Sequence, residues 1–395
     1  MGSAAVIAVA GALLLLHLST IKSEDSALPH LTQKSTGFCT IFVDQNAYNC
    51  QEFVVQTEDG FLLGVQRLTA RSAAASKGPA FLYHGLFLGG DIWVMNQPSE
   101  SLAFILADAG YAVWIGNTRT TTFSYGHTSF TQHDQGFWDW CLDELARYDV
   151  PAMLKFVYSK SGQKIYYIGY SQGTQAAFAA LSQGQQLLDI VEKFVMLAPV
   201  AYVNHATTPI GVAAVKLYAD KILMALHINF FTFRSKTGRQ LVDYICASMN
   251  MRCYGETISL LTGDNCCINA TRRAFYDKYE LQATSTKNLR HLAQQFRTGT
   301  FSQYDYGWWG NMQRYGSFNA PDYKLSHIPS NIKMMLIAAE KDSLATPPDV
   351  QHLLNELSYR PTFMSIPNYA HLDFVVGINA NVDAYAKAMS FFQSQ

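Results

Sequence analysis

Residues 165–181 read IYYIGYSQGTQAAFAAL. Four β-favouring residues run into Gly-Tyr-Ser-Gln-Gly, and an alanine-rich stretch of helical character follows at once. Few folds pass from a buried strand to a helix through one sharp corner with a serine in it. Gly-x-Ser-x-Gly alone is a weak pattern, so its context matters. A strand before it and a helix after it are the setting of a nucleophile elbow. There the turn lifts the Ser171 hydroxyl off the sheet. Side chains at Gly169 and Gly173 would collide with the neighbouring strand and helix. The helix amino terminus adds unpaired N–H groups and a positive dipole end. The plainer reading is a structural serine in an ordinary turn, and the partners of Ser171 decide between the two.

The rest of the chain alternates in the same way. QEFVVQTEDGFLLGVQRL (51–68) reads as a β-hairpin turning at Glu-Asp-Gly, after an irregular segment at 27–50. Short apolar strands are expected at 80–87, 111–117, 165–168, 191–201, 331–342 and 360–374. Helices are expected at 101–110, at 137–162 with a kink at Pro151, and at 347–357. Strands alternating with helices predict an α/β protein with a mostly parallel central sheet. The rhythm breaks from about 205 to 327, where the sequence is helix-prone, aromatic and without clear short strands. This divides the chain into a leader (1–25), a first core part (26–204), an inserted helical segment (205–327) and a second core part (328–395).

A serine is a weak nucleophile until a base takes its proton. In elbow-type sites the partners follow in the order serine, acid, histidine. His371, in NYAHLDF, lies just beyond an apolar strand where a loop would reach the corner. His205, His227 and His291 fall in the insertion, His352 in a helix and His327 in a connecting loop. For the acid, Asp342 directly follows the strand KMMLIAA; Glu340 and Asp373 are its rivals. Asp373, two residues after His371, suits a loop-capping role better. Two N–H donors for an oxyanion are expected at Gln172 and at Leu86, in the loop His84-Gly85-Leu86. His84 itself reads as structural.

The composition, 49% hydrophobic and 15% charged, is that of a chain with a large core. A net charge of −1 with no basic run longer than two residues points away from nucleic acid. The 13% aromatic content fits an aromatic core, or a surface that handles apolar substrate. AVIAVAGALLLLHL (5–18), followed by Lys22, Glu24 and Asp25, matches a signal-peptide core; an uncleaved signal anchor is the competing reading. Seven cysteines agree with export, and the odd number leaves at least one unpaired. Cys39 and Cys50 are spaced to close a short loop. Cys246, Cys253, Cys266 and Cys267 cluster, with some of them paired. A bond between the adjacent Cys266 and Cys267 would be strained, so each is expected to pair elsewhere or stay free. No histidine stands among these four at finger-like spacing, so no metal site is expected. Asn269-Ala-Thr is a glycosylation sequon. The stretch 211–233 is too broken by Lys216, Asp220 and Lys221 to span a membrane. Those charges lie near one helical face, which suits either a core-packing helix or a lid helix that meets lipid.

YHGL (83–86), FWDWCLDELARYDVPAML (137–154), GYSQGT (169–174), STKNLRHLAQQFRTGTFSQYDYG (285–307), KDSLA (341–345) and NYAHLDF (368–374) together resemble the acid lipase family of α/β-hydrolases. GDNCCINAT (263–271) is most similar to the plant members. The resemblance runs from about Cys39 to about Ser390. It implies an α/β-hydrolase fold with an inserted helical cap and activity on triacylglycerols or steryl esters at a lipid–water interface. It implies no metal or cofactor; no obligate protein partner is evident from the sequence. Ser171, Asp342 and His371 would form the triad, with Leu86 and Gln172 at the oxyanion hole. Acyl transfer on the same machinery, or a catalytically idle lipid carrier, are the alternatives. The chain departs from the family at Ala338-Ala339 and at Thr120, where glycines are usual.

Overall fold

The Glu-Asp-Gly turn joins β1 (Tyr48–Gln56) to β2 (Phe61–Ala70) as an antiparallel hairpin, with Gly60 at φ 96°. The structure, a computed structural model, describes residues 37–394 apart from 74–75, 185–186, 236–237, 239, 241–260 and 280. The expected signal segment, Cys246 and Cys253 lie outside the described residues. After the hairpin come β3 (Pro79–Tyr83), β4 (Ala112–Gly116), the short β5 (Gly126–His127), β6 (Ile165–Tyr170) and β7 (Val191–Leu197). Two-residue strands β8 (Phe230–Phe231) and β9 (Thr284–Ser285) pair with each other away from the main sheet. β10 (Met334–Ala339) and β11 (Thr362–Ile366) complete the set.

The main sheet runs β1-β2-β4-β3-β6-β7-β10-β11, with β5 on β2. From β4 to β11 every pairing is parallel; β2 meets β1 and β4 antiparallel. The parallel strands are apolar on both faces because helices cover both. In β6, Ile168 and Tyr170 enter one core and Ile165 and Tyr167 the other. β3 splits in the same way, with Ala80 and Leu82 against Phe81 and Tyr83. This arrangement brings the carboxyl ends of β3, β6, β10 and β11 to one edge, where open α/β sheets bind ligands.

Three local expectations need correction. The helix expected over 137–162 starts only at Leu142, where the Cys141 amide donates to the Glu144 carboxylate at 2.7 Å. It then passes through a π-helical turn, Leu145–Asp149, so that Pro151 falls in the first turn of the helix Val150–Ser161. Proline is tolerated there because a first-turn N–H has no partner to lose. The stretch 211–233 is two helices, Pro209–Lys216 and Ala219–Ala225, broken at Tyr218 (φ 53°), and then β8. Asp220 does not share a solvent face with the lysines: it is buried and accepts two bonds, of 3.0 and 2.8 Å, from Arg297.

The loop after β4 supports the site from behind. Arg119 is fully buried, bonded to Asp149 and Asp59, and lies 4.0 Å above the Phe61 ring. Thr118 N–H donates to His84 Nε2 at 3.0 Å. Between this anchor and the turn lies Thr120, at φ 66° and with a buried hydroxyl that has no partner among the described residues. A β-branched residue in the left-handed region is strained. Thr120→Gly should therefore stabilise the protein by about 1 kcal/mol, the relieved strain exceeding glycine's extra unfolded-state entropy. Urea unfolding curves check this. A lower midpoint in the variant would mean that threonine packing dominates.

Candidate active site

Ser171 sits between β6 and the helix Gln172–Gln183 at φ 53° and ψ −120°. Its N–H donates to Leu197 O at 3.1 Å, and its carbonyl accepts from Thr174 N–H and the Thr174 hydroxyl. The flanking glycines are required by contact. A Cβ on Gly173 would lie 2.5 Å from Tyr83 O, and one on Gly169 2.9 Å from the Tyr167 ring. A Cβ on Gly85 would lie 2.8 Å from that of Ser171.

His371 Nε2 lies 2.7 Å from Ser171 Oγ, and His371 Nδ1 lies 2.8 Å from Asp342 Oδ2. A carboxylate only accepts, so Nδ1 carries the proton and the Nε2 lone pair faces the serine hydroxyl. The other Asp342 oxygen accepts the Leu344 and Ala345 N–H groups at 2.8 and 2.9 Å. All three residues are buried. Of the rival acids, Glu340 is exposed, while Asp373 accepts from the Ala370, Cys266 and Cys267 N–H groups and bonds no imidazole among the described residues. Burial raises the Asp373 carboxyl above its ordinary value, against those three donors. Three of the other candidate histidines are engaged elsewhere: His205 bonds Asp349 at 2.7 Å, His291 bonds Ser302 O at 2.8 Å, and His352 stacks on Tyr202.

The Leu86 and Gln172 amides have no hydrogen-bond partner among the described residues, as expected of a loop and a helix start that face a ligand. His84 shapes this loop. Its Nδ1 donates to Gly85 O at 2.8 Å while its Nε2 accepts from Thr118. Burial holds the ring neutral, with its pKa lowered to about 4. Beyond the loop, Asp91 is buried, and desolvation pushes its carboxyl up to about 7, partly offset by its own and the Ile92 N–H groups and by the Arg234 charge. Ser171 and His371 open onto a cavity of about 300 Å³. Its walls are almost wholly apolar, with Phe87, Ile210, Leu223, Phe231, Leu289 and Phe296 prominent.

Residues 39–97 match the family model described as a partial alpha/beta-hydrolase lipase region. Over 358 residues the chain is 40% identical to Triacylglycerol lipase 1 of Arabidopsis thaliana, covering 90% of each protein. The chain belongs to the acid lipase family of α/β-hydrolases. It is also 34% identical to the gastric triacylglycerol lipase of Rattus norvegicus, over 87% of this chain and 88% of that one. Among solved structures, a soluble variant of monoglyceride lipase from Saccharomyces cerevisiae shares the fold, with a TM-score of 0.55 at 12% identity, over 87% of this chain and 96% of that one.

Other site features were not read from the sequence. Gln172 and Asn288 exchange reciprocal amide bonds of 3.2 Å, and Gln175 bonds Gln295 at 2.9 Å, tying the elbow helix to the helix Thr286–Thr298. The polar positions of STKNLRHLAQQ are their signal in the sequence. Cys39 and Cys50 are bridged, as their spacing predicts, and Cys141 is free and buried. The expectation for Cys266 and Cys267 is corrected: they are bonded to each other. Their N–H groups converge on Asp373, which holds the turn in which neighbouring sulfurs meet. Asn269 is 9% exposed and its Nδ2 donates to Glu100 at 2.9 Å, so a glycan there requires that contact to open.

The two buried titratable groups beside the oxyanion loop give opposed pH slopes. His84 has a folded pKa below its unfolded value, so its contribution destabilises as pH falls from about 6.5 to about 4. Asp91 has a folded pKa above its unfolded value, so its contribution is present at low pH and is lost as pH rises from about 4 to about 7. Asp91→Asn should thus gain about 2–3 kcal/mol on the wild type between pH 5 and pH 7.5. Denaturant unfolding at those two pH values tests this; an equal difference at both would refute the assignment.

Proposed function

We propose that the protein is a serine lipase that hydrolyses neutral lipid esters, triacylglycerols or steryl esters, through an acyl-enzyme. The observation that carries this is the hydrogen-bonded line Ser171–His371–Asp342 opening onto an apolar cavity. Ser171 Oγ attacks the ester carbonyl as His371 Nε2 takes its proton. The Leu86 and Gln172 N–H groups receive the oxyanion, each such donor contributing about 10²–10³ in rate. His371 then protonates the leaving alkoxide, and water repeats the sequence on the acyl-enzyme. Asp342 keeps the imidazole in the required tautomer and stabilises its charged form.

Residues 205–327 are proposed as a cap on a core made of 26–204 and 328–395. In support, the chain leaves the sheet after β7 and returns at β10, and residues between them wall the cavity. A lipid–water interface is the proposed working surface. The secretory pathway, ending outside the cell or in a vacuolar or lysosomal lumen, is the proposed location. The apolar amino-terminal stretch and the Cys39–Cys50 bridge support it. No described helix is long and apolar enough to cross a membrane.

A panel of esters from butyrate to triolein and cholesteryl oleate tests the reading. Ser171→Ala should lose turnover by about 10⁶-fold, and Asp342→Asn by about 10⁴-fold, with the melting transition unchanged. Ester hydrolysis retained by folded Ser171→Ala would defeat the mechanism. Leu223 is buried in the cavity wall, and each acyl CH₂ taken from water contributes about 0.8 kcal/mol. Leu223→Ser should therefore lower kcat/KM for long-chain esters by about tenfold while sparing butyrate. Equal losses on both would remove Leu223 from chain binding.

A further inference from the structure

The segment 262–268 is bonded both to the proposed acid and to the histidine loop. Gly263 forms a β-bridge with Asp342, and Ile268 forms one with Gly377. His371 N–H donates to Thr262 O at 3.2 Å, and Leu372 N–H to Asn265 Oδ1 at 3.0 Å. The Cys266 and Cys267 N–H groups, at 3.1 and 2.9 Å, both reach the Asp373 carboxylate, which also takes Ala370 N–H at 2.8 Å. Asp373 is fully buried, so a lost donor there is expensive. Neighbouring amides point at one carboxylate only in a narrow range of backbone angles. The bond between Cys266 and Cys267 limits those residues to a small part of their conformational space. Two free thiols would not.

We propose that the Cys266–Cys267 disulfide is a positioning element for His371, closed in the active enzyme and opened by a dithiol reductant with loss of turnover. The inference rests on the proposed Ser171–His371–Asp342 mechanism. Cys266 is exposed and so can be reached by a thiolate. The dithiol supplies two electrons and two protons and leaves as its own disulfide. The S–S bond breaks, and Cys266 and Cys267 become thiols. The turn then relaxes, Asp373 loses two of its donors, and the 370–373 loop no longer holds His371 at hydrogen-bond distance from both Ser171 and Asp342.

The test compares the full-length wild type, Cys266→Ser/Cys267→Ser and Asp373→Asn, each with and without dithiothreitol, on a soluble butyrate ester. Mass mapping of alkylated thiols establishes which bridges have opened. In the reduced wild type and in both variants, kcat should fall between about tenfold and a hundredfold, the range expected when a catalytic group shifts by up to 1 Å, with KM unchanged. The acid limb of the kcat/KM profile should move to lower pH, because a looser Asp342 contact stabilises the imidazolium less. Loss of folded protein would only scale that profile. Dithiothreitol should have no further effect on the double-serine variant. If that variant does not fold, reduced wild type and Asp373→Asn carry the same comparison. An unchanged kcat and acid limb in wild type with Cys266 and Cys267 shown to be reduced would overturn the proposal. So would a double-serine variant as sensitive to reductant as the wild type. Failure of the underlying mechanism is separable, since it appears as hydrolysis by Ser171→Ala.

Discussion

A backbone at φ 53° and ψ −120° costs a serine on the order of 1–3 kcal/mol, and contacts from three sides hold it there. Leu197 O takes the Ser171 N–H from β7. Tyr83 O, at the end of β3, leaves room for nothing larger than Gly173. Thr174 ties the Ser171 carbonyl to its own hydroxyl, which in turn accepts Val200 N–H at 2.8 Å. The hydroxyl that points out of this corner therefore has few positions to sample. His371, the Leu86 amide and the cavity are all arranged around that limited set.

A second layer of polar contacts fixes the elbow helix against the helix Thr286–Thr298. Gln172, Gln175, Asn288 and Gln295 are buried, and their amides pair across the interface. The Ser285 hydroxyl caps this second helix by accepting Asn288 N–H and donates to Trp140 O. Buried amides forfeit much when a partner leaves, so the network favours one docking of this helix over a sliding apolar contact. The apolar wall of the cavity belongs partly to the same helix, through Leu289 and Phe296. Polar residues set its register, and apolar residues line the chamber.

The sheet was legible because each parallel strand is a short apolar run bounded by glycine or a turn, a signal carried by neighbouring residues. Ser171 was legible for the same reason. Chain order and a place just after strands point to His371 and Asp342, and both stand within hydrogen-bond distance of their partners. Features that depend on a distant partner were not legible. Asp220 reads as a solvent-facing charge until Arg297, 77 residues away, is brought against it. The bond between Cys266 and Cys267 depends on Asp373 from another loop. The π-helical turn before Pro151 reflects a packed helix accommodating a proline, where local pattern suggests only a kink.

The bond between Ser171 and His371 spans 200 residues of chain. At 5–20 residues per second, a ribosome finishes the serine roughly 10–40 s before the histidine. During that interval the elbow can form from β6, its helix and the strands already made, while the base does not yet exist. The residues after β7 and then β10 must follow before Asp342 and His371 can reach the corner. A nascent chain therefore carries its serine through that interval without the base proposed to activate it. Order of synthesis alone delays the proposed hydrolysis until the fold closes.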